Sequence, residues 1–111
     1  MEWREIATHK GKYEVSDKGQ VRNTKKDTFL ATRGLLKSVQ LSPYTYPALT
    51  PMCQLVAQAF VENPNHYKSI RFKNGIRDNR PSNLEWVKEL KKDDVGYTIP
   101  DSWYFGFRVQ P

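Results

Sequence analysis

The chain has 111 residues, 38 % hydrophobic and 13 % aromatic, with 18 Lys and Arg against 12 Asp and Glu. That size and apolar share suit a single compact domain with a modest core and exclude a disordered chain. The single cysteine excludes an intramolecular disulfide and a Cys/His zinc site, and no apolar run reaches membrane-spanning length, so a soluble, cytoplasmic protein without membrane contact is expected.

The net charge of +6 is uneven. Residues 1–40 carry nine basic and five acidic groups, residues 41–88 carry six and three, and residues 89–111 carry three and four. The first two segments therefore attract phosphates, and the last does not. In chain order, "WREI" (3–6) alternates apolar and polar residues as a short strand does. Tyr13–Ser16 and the stretch from Val21 read as a hairpin around "SDKG" (16–19), where Ser16 and Asp17 can bond the local backbone and Gly19 admits positive φ. Its rim is basic: Lys10, Lys12, Lys18, Arg22, Lys25 and Lys26. Residues 35–41 are predicted as a strand, and "PYTYPALTP" (43–51), with three prolines, as a loop. A helix follows, with Thr50 as N-cap, Pro51 at its first position and an apolar stripe of Leu55, Val56, Ala59 and Phe60; Gln54, Ala57 and Gln58 lie off that stripe. "ENPN" (62–65) ends it. "HYKSIRF" (66–72) alternates again as a strand, "KNG" (73–75) turns, and Pro81 opens a short helical turn before Leu84, Trp86 and Val87. "KELKKDD" (88–94) is a solvated connector, and "SWYFGF" (102–107) reads as an extra strand or an aromatic contact patch.

Two stretches together resemble one family. "WREIATHKGKYEVSDKGQVRN" resembles the N-terminal modular DNA-binding segment of phage-type HNH homing endonucleases, with Trp3, Ile6, Tyr13-Glu14-Val15-Ser16 and Gly19-Gln20-Val21-Arg22 at its pattern positions. "MCQLVAQAFVENPNHYKSIRFKNGIRDNRPSNLEWV" resembles the HNH module, through Leu55-Val56-Ala57, Ala59-Phe60, Asn63-Pro64, Gly75 and Asn83-Leu84-Glu85-Trp86. The resemblance covers roughly residues 3–25 and 52–87 and implies two strands and a helix around one divalent metal, with a histidine that activates water. The sequence departs from the pattern where that chemistry lies. Cys53 stands in the place of the first histidine and Phe72, nineteen residues on, in that of the second. Arg71 replaces the preceding Asn and Asn74 the Asp before Gly75, while Met52 is a poor ligand for a hard cation.

The resemblance therefore implies an α+β fold: a basic hairpin segment (1–28), a degenerate HNH-like module (29–90) and an aromatic extension packed on the same domain (91–111). It implies a protein of phage or mobile-element origin that is not an enzyme, with no catalytic residue, metal or cofactor, binding DNA by occupancy, mainly at phosphates. The residues assigned to DNA are Lys12, Lys18, Arg22, Lys25, Lys26, Arg71, Lys73, Arg77 and Arg80, since Arg forks onto phosphate oxygens. The plainer alternative is a solvated face, with Arg71, Lys73, Arg77 and Arg80 ion-paired to Asp78 and Glu85. Two other functions stay open: an inhibitor that contacts a host protein through Trp103, Tyr104, Phe105 and Phe107, and a residual nickase using His66, Asn74 or Asn79. Cys53 reads as an inert buried thiol, and His9 as a surface histidine in a polar turn.

Overall fold

A computed structural model describes residues 1–9, 11–41 and 49–100. Four short antiparallel strands, β1 (Trp3–Glu5), β2 (Tyr13–Ser16), β3 (Val21–Asn23) and β4 (Thr28–Phe29), form a sheet in that order. The hairpin turn carries the expected chemistry. Ser16 Oγ accepts from the N–H of Lys18 (3.2 Å) and of Gln20 (3.1 Å), and Gly19 sits at φ +78°. Asp17 reaches away, and its Oδ1 accepts from the Glu2 N–H at 3.2 Å, which pins β1 beside the turn. β4 was not foreseen from the sequence. Asn23 Oδ1 accepts from the N–H groups of Lys25 and Lys26 at 3.0 Å each, Asp27 takes φ +55°, and the chain reverses into β4.

Residues 35–41 are not a strand. Arg33 and Ser38 exchange two backbone hydrogen bonds of 2.8 Å around a tight turn with Gly34 at φ +75° and Lys37 at φ +50°. The turn uses up the residues that would have alternated. Leu35 is left exposed, and only Val39 and Leu41 are buried. Val39 bridges Thr50 through two backbone bonds of 2.9 Å.

Helix α1 spans Met52–Phe60. Thr50 is not its N-cap and Pro51 is not its first helical residue: Pro51 holds the capping position in extended conformation, with no side-chain cap. Thr50 is committed to the Val39 bridge, and the Met52 N–H finds the Leu36 carbonyl instead, at 3.3 Å. The stripe is also wider than predicted. Met52 to Ala57 are all buried, including Gln54 and Ala57, because the first turns of α1 are enclosed on all sides. At the other end, Arg4 Nη1 donates to the Ala59 carbonyl at 2.5 Å, and its guanidinium lies 4.6 Å from the Phe60 ring centre. A cation at a helix C-terminus is favourable, and this one fastens β1 to α1.

A second sheet follows, with β5 (Ser69–Phe72) between β6 (Leu84–Val87) and β7 (Gly96–Thr98), all antiparallel. A 3-10 turn at Pro81–Asn83 leads into β6. One apolar cluster joins both sheets to the helix, with Val15 and Val21 from the first sheet, Leu55 and Val56 from α1, and Ile70, Phe72 and Leu84 from the second. The half-buried Trp86 packs against it and donates its indole N–H to the Val61 carbonyl at 3.1 Å. The fold is thus α+β as expected, with N-terminal antiparallel strands and, among the described residues, one α-helix. No helix among the described residues is long and apolar enough to cross a membrane.

Candidate nucleic-acid interface

The described basic residues of the hairpin do not form one rim, and Lys10 lies outside the described residues. Lys12, Lys25 and Lys26 gather at one end of the first sheet, where the Thr24 N–H donates to the Lys12 carbonyl at 2.9 Å. Lys18 lies at the other end, in the β2–β3 turn. Strands of this length separate the two ends by roughly 15 Å. Arg22 sits between them on the outer face, with its guanidinium 4.1 Å above the Trp3 ring and 2.9 Å from Glu14 Oε1.

At the Lys18 end, three loops converge beside the N-terminus of α1. A Cβ on Gly19 would stand 3.2 Å from Asn79 Cβ and 3.6 Å from Met52 Cγ. The 33–38 turn reaches α1 through the Leu36 carbonyl, and the charge of Lys37 acts on Asp78. Exposed Lys18, Arg33, Lys37, Lys73 and Arg77 therefore belong to one end of the molecule. Arg33 and Lys37 were missed from the sequence, and the signal was there: basic residues flank Gly34 within "RGLLK" (33–37).

Arg71 and Arg80 are engaged with carboxylates. Arg71 donates to Glu85 Oε1 (2.7 Å) and Asp94 Oδ1 (3.0 Å), and Arg80 grips Asp78 with contacts of 2.6–3.1 Å. This is the ion-paired alternative for both residues. The Arg80 hydrogen bonds hold the Asp78 carboxyl below its ordinary value. Among the described residues, Lys12, Lys18, Lys25, Lys26, Lys73 and Arg77 make no ion pair.

The loop that carries Lys73 and Arg77 is shaped by Asn83. Its Nδ2 donates to the carbonyls of Ile76 and Asp78 at 3.0 Å each, and its Oδ1 accepts from the Asn74 N–H at 3.1 Å. Three hydrogen bonds from one buried side chain thus hold the loop from within.

The four residues that the resemblance sets against the metal positions, Cys53, Arg71, Phe72 and Asn74, are placed as follows. Cys53 is fully buried, and burial pushes its thiol up to about 12, which keeps it in the neutral form within the core. Phe72 is 1 % exposed in the core. Arg71 brings positive charge, and Asn74 spends its Oδ1 on the Ile76 N–H at 2.9 Å. No group of three His, Cys, Asp or Glu side chains suited to a metal occurs among the described residues. His66 is exposed on a turn at φ +55°, its N–H donating to the Asn63 carbonyl at 3.1 Å. Asn79 keeps its Oδ1 buried without a hydrogen-bond partner. His9 packs edge-on against Tyr13 at 5.7 Å between ring centres, and burial, then Lys12, lowers its pKa. Trp103, Tyr104, Phe105 and Phe107 lie outside the described residues.

Residues 1–50 match the model of the NUMOD4 motif. Two proteins of Acanthamoeba polyphaga mimivirus, both described as uncharacterized HNH endonucleases, are 40 % identical over 92 residues and 31 % identical over 88. Each alignment takes in 77 % of this chain, but 23 % and 26 % of the relative, so the chain spans about a quarter of the length of these curated relatives. Among solved structures it is similar to the HNH homing endonuclease I-HmuI, whose structure is described as one of DNA binding and cleavage. The TM-score is 0.65 at 26 % identity, over 78 % of this chain and 52 % of that one. These likenesses correct the expectation of a protein that is not an enzyme. The proteins it aligns with are endonucleases by name, and the replacements at Cys53 and Phe72 speak only for those two side chains. The chain carries a NUMOD4 motif in residues 1–50, is homologous to HNH endonucleases and shares the fold of an HNH homing endonuclease.

Proposed function

We propose that this chain binds duplex DNA mainly through phosphates, as the docking part of an HNH-type DNA endonuclease. The observation that carries the reading is the split of its unpaired cations between the two ends of the first sheet: Lys12, Lys25 and Lys26 at one, and Lys18 at the other, beside the loop that carries Lys73 and Arg77. Two patches roughly 15 Å apart can hold one duplex at separate phosphates and fix its direction. Lys37 and Arg33 extend the second patch, whereas Arg71 and Arg80 shape its surroundings.

Fluorescence anisotropy on a duplex of about thirty base pairs tests the reading. Six phosphate contacts predict that the logarithm of affinity falls with the logarithm of salt at a slope of about −5. Lys25→Ala and Arg77→Ala each reduce that slope by about one, because they act at opposite ends. Absence of binding at low salt, or binding that ignores salt, overturns it. The endonuclease half is read separately, as Mg²⁺- or Mn²⁺-dependent nicking of supercoiled plasmid. Plasmid that stays intact while bound withdraws that half alone.

A further inference from the structure

The outer face of the first sheet holds a feature that phosphate binding does not use. The register lines up Glu5, Glu14, Arg22 and Phe29 across the four strands. Trp3 lies over this face, and its ring stacks on Phe29 with centroids 6.0 Å apart and planes at 28°. Arg22 caps the Trp3 ring and spends its charge on Glu14. The inner face buries Val15 and Val21, so the aromatic face is not needed for the core. Phe29 is 64 % exposed, on the edge strand, three residues after the exposed Lys26 of the preceding turn. Leu35, Leu49 and Ile76 are also exposed, but they are aliphatic; among the described residues Phe29 is the exposed large hydrophobic that offers a π-face.

We propose that this face is a nucleobase-stacking platform, on which Phe29, held in place by Trp3, takes a base exposed at an unpaired or opened position of DNA. The inference rests on the DNA-binding reading and deepens it. A ring already stacked on its neighbour loses little conformational freedom on binding a base. Stacking accepts any base, since each has a π-face. The charges fit: Lys25 and Lys26 lie in the turn that leads into β4, available to the flanking phosphates, Arg22 neutralises Glu14, and Glu5 is on the opposite edge of the sheet.

The test uses the full chain, a fully paired duplex and the same duplex with one bulged 2-aminopurine. The bulged duplex is expected to bind about tenfold tighter, and 2-aminopurine fluorescence to fall on binding, as base–aromatic stacking predicts. Phe29→Leu should remove both effects and leave affinity for the paired duplex unchanged, and Phe29→Trp should restore them; thermal melts check that both variants fold. A preference and a fluorescence change that survive Phe29→Leu overturn the proposal, as does a wild-type chain that binds both duplexes equally. If the wild-type chain binds neither duplex at low salt, the DNA-binding reading falls, and this proposal with it.

Discussion

Arg71 donates through Nε to Asp94 Oδ1 at 3.0 Å and so joins the central strand β5 to the connector that leads into β7. The Lys91 N–H, which donates to Asp94 Oδ2 at 2.8 Å, and then Arg71 hold the Asp94 carboxyl below its ordinary value of 3.8. A depressed carboxyl stabilises the fold above its unfolded-state value, and the stabilisation disappears as pH falls through the lower folded-state value. Asp94→Asn should therefore lower Tm near pH 7, and the gap to wild type should close towards about pH 2. Thermal melts across this range check it; a gap as wide in acid as at neutral pH contradicts the assignment.

Asn83 should control the 74–78 loop more than it controls the core. Asn83→Ala removes two donors and one acceptor from backbone groups of that loop, at a cost of about 1–3 kcal/mol. Amide exchange should accelerate at Asn74, whose N–H loses its acceptor. Asn83→Asp keeps that acceptor and loses the donors, so it should protect Asn74 and still destabilise the chain. Equal exchange at Asn74 in both variants would refute the division of roles.

Gly96 is required by closeness. A Cβ there would come within 2.1 Å of the Ile70 carbonyl oxygen and 2.7 Å of Leu90 Cδ2. The carbonyl belongs to the central strand and cannot move aside cheaply, so β7 must shift. Gly96→Ala should cost about 1–3 kcal/mol in urea unfolding. Gly11→Ala meets no atom within 4 Å, and its cost should come from its φ of +80° alone.

Cys53 should be silent in the folded protein. It is fully buried, and its thiol is pushed up to about 12. A thiol reagent at pH 8 should label it only as fast as the chain unfolds, with urea dependence matching that of global unfolding. Cys53→Ser should cost about 1–3 kcal/mol by placing a hydroxyl in an apolar site, and Cys53→Val less. Fast labelling of the native chain would show a different environment for this side chain.

Local chemistry determined what could be read from the residues alone. Ser16 and Gly19 made their turn, the apolar spacing made α1, and the alternation at 66–72 yielded β5, because each depends on groups a few residues apart. The order of motifs likewise pointed to the family. Only tertiary structure decided which face of α1 is buried: Gln54 lies off the predicted stripe, yet it is enclosed because strands and turns surround the first turns of the helix. Thr50 lost its capping role to a bridge with Val39, eleven residues earlier. The cations were divided in the same way. Arg71 and Arg80 found carboxylates, Arg22 found Glu14 and Trp3, and Lys18 parted from Lys25, because charge in a sequence has no direction until strands give it one.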